Sequence, residues 1–111
     1  MPAIRVCSVA AFPPDGRKAF SMQGRDIVIF QVEDEFYVVD RYCPHAGGDM
    51  FDAKVEGKSV ICPVHEAVFD LETGEFVEDN EYTSPALARV MQPINAYRVT
   101  VRNGFINIEI P

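Results

Sequence analysis

Two short stretches decide how this sequence is read: Cys43-Pro44-His45-Ala46-Gly47-Gly48 and Cys62-Pro63-Val64-His65-Glu66-Ala67-Val68-Phe69-Asp70-Leu71-Glu72-Thr73-Gly74. Each sets a cysteine and a histidine on one side of a tight loop, with a proline directly after the cysteine to fix φ and stiffen the bend. Gly47-Gly48 and the later Gly57 permit sharp backbone turns beside them. The chain has three cysteines and two histidines, and both histidines and two of the cysteines fall in these stretches. Two such loops, at the tips of β-hairpins, would close on a metal centre from opposite sides. Thiolate with imidazole suits zinc or iron–sulfur rather than magnesium or calcium.

Working outward, the flanking sequence reads as short strands separated by turn signals. Ile4 to Val6 is a first strand, and Phe12-Pro13-Pro14-Asp15-Gly16 is a loop. Lys18 to Met22 and Arg25 to Val32 flank a Gln23-Gly24 turn, and Phe36 to Asp40 follows the polar turn Glu33-Asp34-Glu35. Ser59 to Cys62 and Ala67 to Leu71 form a hairpin interrupted by the second Cys/His pair. Ala96 to Val101 and Phe105 to Ile110 form another across Asn103-Gly104. No long window has a helical period. Ser84 to Met91 is expected to form one or two helical turns, with Ser84 as N-cap and Pro85 first. The expected class is all-β, a small antiparallel sandwich or partly open barrel. The stretch 78–93 is the least readable part.

The length of 111 residues fits one domain. No run approaches the ~18 apolar residues that span a bilayer, and the start lacks the apolar core of a signal peptide. These features predict a complete cytoplasmic protein with no membrane partner. An odd cysteine count in that setting argues against a disulfide framework. Cys7, outside both motifs, is expected to be a small core hydrophobe. The net charge of −7 disfavours nucleic acid as a partner and suits docking on a basic protein surface.

The two stretches together resemble the Rieske signature, Cys-x-His followed at a similar distance by Cys-x-x-His and then by Phe-Asp and Thr-Gly. The resemblance covers essentially the whole chain. It implies one Rieske-like domain over 1–111, a small antiparallel β-sandwich. Its cluster-binding part, roughly 41–74, would be made of two hairpin loops. It implies one [2Fe–2S] cluster per chain, with Cys43 and Cys62 on one iron and His45 and His65 on the other. A closed Cys2His2 zinc module without redox activity is the alternative at the level of the donor set.

Departures from the common patterns narrow the implied role. Respiratory Rieske proteins carry an extra cysteine in each loop, joined as a disulfide; here those positions are Gly48 and Val64. Hydroxyls that serve the cluster sulfurs in those proteins are replaced by Ala67 and Phe69, which points to the low end of the potential range, near about −150 mV. Rieske oxygenases also need a mononuclear iron held by two His and a carboxylate, and this chain has no histidine to spare. The resemblance therefore implies no catalysis by the chain alone. It implies a soluble ferredoxin, a monomer with transient complexes, that carries single electrons from a flavoprotein reductase to the terminal oxygenase of an aromatic-ring dioxygenase or related system. The small subunit of an assimilatory nitrite reductase is the runner-up.

Glu66 stands where the family often has glycine, and a carboxylate there disfavours the added electron. Pro85 is the candidate for the proline loop that flanks the cluster in this fold. The ligand histidines are expected at the exposed tip, with Pro44, Ala46, Gly47, Val64, Glu66 and Ala67 surrounding a docking patch.

Overall fold

The computed structural model describes residues 3–43 and 47–110. Expectations that fall on Pro44, His45 and Ala46 lie outside the described residues. The strands are β1 (Ala3–Ser8), β2 (Arg17–Met22), β3 (Arg25–Val32), β4 (Glu35–Asp40), β5 (Lys54–Glu56), β6 (Ser59–Ile61), β7 (Val68–Asp70), β8 (Ala96–Arg102) and β9 (Phe105–Glu109), with one short helix, α1 (Pro85–Ala88), before β8. A six-stranded sheet has the order β1-β9-β8-β4-β3-β2, and a three-stranded sheet the order β5-β6-β7. Every strand pairing is antiparallel. The all-β expectation holds.

The hairpins sit where turn chemistry puts them. Gln23 and Gly24 between β2 and β3, and Asn103 and Gly104 between β8 and β9, all have positive φ, as two-residue primed turns require. Ser84 accepts a hydrogen bond from the Leu87 amide and Pro85 opens α1, as its sequence indicates. The expected helix ends sooner, at Ala88. β5 was not anticipated: Lys54-Val55-Glu56 is too short to show an alternating pattern.

β3 is the plank between two cores. Ile27, Val28, Ile29 and Phe30 are all buried, so the strand has a core on each face. On one side Ile27, Ile29 and Val38 meet Tyr97, Ile106, Ile108 and Ile110. The six-stranded sheet must curl for those residues to touch. On the other side Val28, Phe30, Tyr37 and Val39 meet Val60, Phe69, Leu71, Met50 and both motif cysteines. The small sheet is therefore held by its own apolar core. Truncating Phe30 or Phe69 to alanine would cost about 3–5 kcal/mol.

Polar clamps fix how the first cysteine loop leaves that core. Arg17 on β2 donates to the carbonyls of Phe51 and Ala53, each at 2.7 Å. Arg41 makes a forked pair with Asp49, Nε to Oδ1 at 3.1 Å and Nη2 to Oδ2 at 3.0 Å. Asp49 also caps the 3₁₀ turn Met50–Asp52 by accepting from the Phe51 amide. Tyr42 bridges Asp49 across the stem. The Arg41 hydrogen bond is the main reason the Asp49 carboxyl lies below its ordinary value; partial burial works against it and the Phe51 amide reinforces it.

A carboxyl with a lowered folded value stabilises the fold above its unfolded pKa, about 3.9, and loses that contribution as pH falls through the folded value. Asp49→Ala is therefore expected to lower stability by about 1–2 kcal/mol at neutral pH. In urea unfolding the difference from the parent should shrink toward zero on acidification below pH about 4.

Candidate metal centre

Cys43 follows the end of β4, and Cys62 follows β6 directly. Both thiols are buried, at 2% and 0% exposure, in the core beneath the small sheet. The two loops that begin at these cysteines have the same backbone closure. In the first, the Cys43 amide donates to the Gly48 carbonyl at 2.9 Å and the Gly47 amide to the Cys43 carbonyl at 2.8 Å. In the second, the Cys62 amide donates to the Ala67 carbonyl at 2.8 Å and the Glu66 amide to the Cys62 carbonyl at 3.0 Å. Each cysteine thus closes a ring on the residues four and five positions ahead. The fourth residue is left-handed in both, Gly47 at φ +67° and Glu66 at φ +55°. Glycine takes that conformation freely; glutamate does so at a cost of about 1 kcal/mol. This is the physical reason a glycine suits position 66.

The loops meet at Gly48. A β-carbon there would lie 2.7 Å from the Cys62 sulfur and 2.9 Å from Val64 Cγ2. The positions that would carry a disulfide in the respiratory relatives of the motif are thus brought face to face, and here they pack as Gly48 against Val64. Two buried thiols in facing loops, with a cradle that one β-carbon would fill, fit the thiolate side of an iron–sulfur centre.

His65 lies in the exposed turn after Cys62. His45 is outside the described residues, and among the described residues no three Cys, His, Asp or Glu side chains converge as a metal site. Gly47, Glu66 and Val64 are exposed, Val64 at 52%, in keeping with a surface patch. Ala67 does not belong to it. It is fully buried among Cys43, Cys62 and Phe69, because it starts the run into β7 and turns its methyl to the core. Phe69 is likewise buried and meets Phe76 edge-on. Cys7 lies on β1, half-buried against the opposite core, where burial pushes its thiol up. That environment suits an inert structural cysteine.

The stretch after β7 leans on the second loop, which the sequence did not reveal. Gly74 and Ile94 close its base: the Ile94 amide donates to the Gly74 carbonyl at 2.9 Å, and a β-carbon on Gly74 would stand 2.1 Å from the Ile94 carbonyl oxygen. Between them, the Tyr82 hydroxyl donates to Glu56 at 2.7 Å and the Thr83 hydroxyl to the Glu66 carbonyl at 2.7 Å. The Glu56 bond is the main cause that pushes the Tyr82 phenol up to about 12. Pro85, two residues beyond Thr83, opens α1.

The profile of the Rieske [2Fe–2S] domain matches residues 3–97. The chain is 30% identical over 111 residues to the ferredoxin subunit of a 3-phenylpropionate/cinnamic acid dioxygenase from Photorhabdus laumondii, covering 99% of this chain and 96% of that one. It is 30% identical over 90 residues to the ferredoxin component of a naphthalene 1,2-dioxygenase system from Pseudomonas putida, covering 81% and 78%. Among solved structures, a Sphingomonas yanoikuyae ferredoxin superposes with a TM-score of 0.78 at 26% identity over 99% of this chain and 100% of that one. A ferredoxin solved in complex with the oxygenase of carbazole 1,9a-dioxygenase shares the fold, with a TM-score of 0.74 at 20% identity over 96% and 91%.

Gly48→Ala tests the cradle. The added methyl forces the loops apart, as overpacking of a tight contact does at about 1–3 kcal/mol. The expected outcome is a protein with native circular dichroism in the β region and sharply reduced bound iron by elemental analysis.

Proposed function

Because the chain belongs to the Rieske [2Fe–2S] domain family, we propose that it is a ferredoxin, carrying single electrons from a flavoprotein reductase to a terminal oxygenase. Cys43 and Cys62 hold one iron and His45 and His65 the other. The observation that carries the assignment is the matched pair of loops, each closed on its cysteine by the same two hydrogen bonds. The ferredoxin roles named for the dioxygenase relatives support the partners. When bound, a [2Fe–2S] cluster supplies one-electron storage with a single unit of charge change.

The chain's own residues do the rest. The core around Cys43 and Cys62 keeps water from the thiolate side. The exposed turn Val64-His65-Glu66 offers a close approach to a partner. With both histidines used, none is left for a two-His, one-carboxylate iron, so the chain is a carrier and not itself an enzyme. No helix among the described residues is long and apolar enough to cross a membrane; we place the protein in the cytoplasm as a monomer with transient partners.

Charge supports steering. Between Lys54 and Tyr82 stand eight carboxylates against two lysines, a net −6 of the chain's −7. The field of the protein is therefore concentrated in the half that carries the small sheet, where it orients encounter with a basic surface.

The purified protein is expected to contain two irons and two acid-labile sulfides per chain. His45→Ala and His65→Ala should each abolish the Rieske EPR signal, whereas Cys7→Ser should keep it. Stoichiometric zinc without sulfide would overturn the reading.

Electron transfer to the oxygenase should slow as salt rises from about 0.05 to 0.5 M, because screening shortens the reach of the field. Glu66→Lys should raise the reduction potential by roughly tens of millivolts, since a cation favours the added electron, with iron content unchanged. Both are read by stopped-flow kinetics and protein-film voltammetry.

A further inference from the structure

Three observations converge on Thr83. Its hydroxyl donates to the carbonyl of Glu66, the residue directly after His65. Glu66 is the left-handed residue of its loop and is not glycine, unlike its counterpart Gly47. And the segment that presents Thr83 is built to hold it still. The Asn80 side chain accepts from the amides of Tyr82 and Thr83, each at 2.8 Å, and donates to the Val77 carbonyl at 2.6 Å. The Val77 amide in turn bonds Val68 on β7 at 2.8 Å. Tyr82 ties the same turn to Glu56 on β5. Gly74 and Ile94 pinch the base of the excursion. The segment therefore crosses from one edge of the small sheet to the other, with Thr83 as its contact on the second cysteine loop.

We infer that Thr83 is a positioning residue for the second cluster loop: its hydroxyl latches the Glu66 carbonyl and holds in place a loop whose left-handed residue is strained. The inference rests on the proposed role of His65 as a ligand. In the first loop glycine takes the left-handed conformation unaided. In the second, glutamate is driven to relax toward ordinary φ, and relaxation would rotate the peptide that Thr83 grips and carry His65 with it. The latch opposes that rotation from outside the loop. It acts on the backbone of residue 66 and so is indifferent to the carboxylate, which stays exposed.

The test uses the cluster-loaded protein. Iron release to a chelator is followed by absorbance for the parent, Thr83→Val and Thr83→Ser, alongside hydrogen–deuterium exchange of peptides covering 62–71 and 25–40. Thr83→Val keeps the side chain's shape and loses its donor; it should release iron about fivefold faster, the worth of one hydrogen bond. Exchange should rise in 62–71, where the Glu66 amide bonds Cys62, and stay unchanged in 25–40. Thr83→Ser should match the parent on both readouts. A valine variant that behaves as the parent overturns the latch, and so does a serine variant as fast as valine, since packing and not the hydroxyl would then be responsible. Equal acceleration of exchange in 25–40 also overturns it, by showing a general loss of stability. His65→Ala is run beside them: if it keeps the Rieske EPR signal, the ligand assignment fails, whereas loss of that signal with an unaffected Thr83→Val refutes the latch alone.

Discussion

Two cysteine loops meet across a gap in which a β-carbon at Gly48 would stand 2.7 Å from the Cys62 sulfur. Most of the upper half of the molecule serves that approach. The loops are rings, each closed by hydrogen bonds between the cysteine and the residues four and five ahead. They are rigid enough to be brought together only if their stems are fixed. The first stem is fixed by the Arg41–Asp49 fork and by Arg17 reaching across from β2. The second leaves β6 and returns as β7, whose paired strands share a core with β3 and β4. The double burial of β3 follows from the same demand. A plank with apolar side chains on both faces joins the cysteine-bearing core to the curled sheet below it, so the two cores share one strand.

The parts of this arrangement that were legible in the sequence are those whose cause is local. Gln23-Gly24 and Asn103-Gly104 announce their hairpins because positive φ selects such residues. Ser84-Pro85 announces a helix start because both act within one turn. The two cysteine loops were equally legible, since each starts at a cysteine followed by proline. What stayed hidden depends on distant partners. Lys54-Val55-Glu56 becomes a strand only because β6 pairs with it. Arg17, Arg41 and Thr83 are ordinary polar residues until the fold supplies a carbonyl or a carboxylate. Ala67 was misplaced at the surface because its nearness in sequence to His65 suggested nearness to solvent. The equivalence of the loops left one overlooked trace, Gly47 four residues after Cys43, which Glu66 masks at the matching distance from Cys62.

The Glu66 position joins the energetics of the loop to the electrostatics of transfer. A non-glycine residue at φ +55° is strained, and the side chain that imposes the strain is a carboxylate beside a ligand histidine in the proposed site. The negative charge lowers the driving force to accept an electron, in the same direction as the missing hydroxyls at Ala67 and Phe69. A carrier with a low potential gives its electron up readily, which suits a donor to an oxygenase. The strained backbone is then the structural consequence of placing that charge there, and the hydrogen bond from Thr83 is its local compensation.

Rigidity and acidity also divide the work of meeting a partner. A carrier that serves two proteins in turn must leave each quickly, so its contact surface has to be small and weakly held. The exposed turn of Val64, His65 and Glu66 meets that condition, with one apolar side chain of any size. Such a surface finds its partner slowly by diffusion alone. The net charge of −6 between Lys54 and Tyr82 supplies attraction that does not depend on close contact. It raises the rate of encounter and leaves the lifetime of the complex to the few atoms that touch. Closure of each ring on its cysteine, and the anchoring of Tyr82 and Thr83 across the small sheet, hold the geometry of the thiols in the half of the chain that carries most of its negative charge.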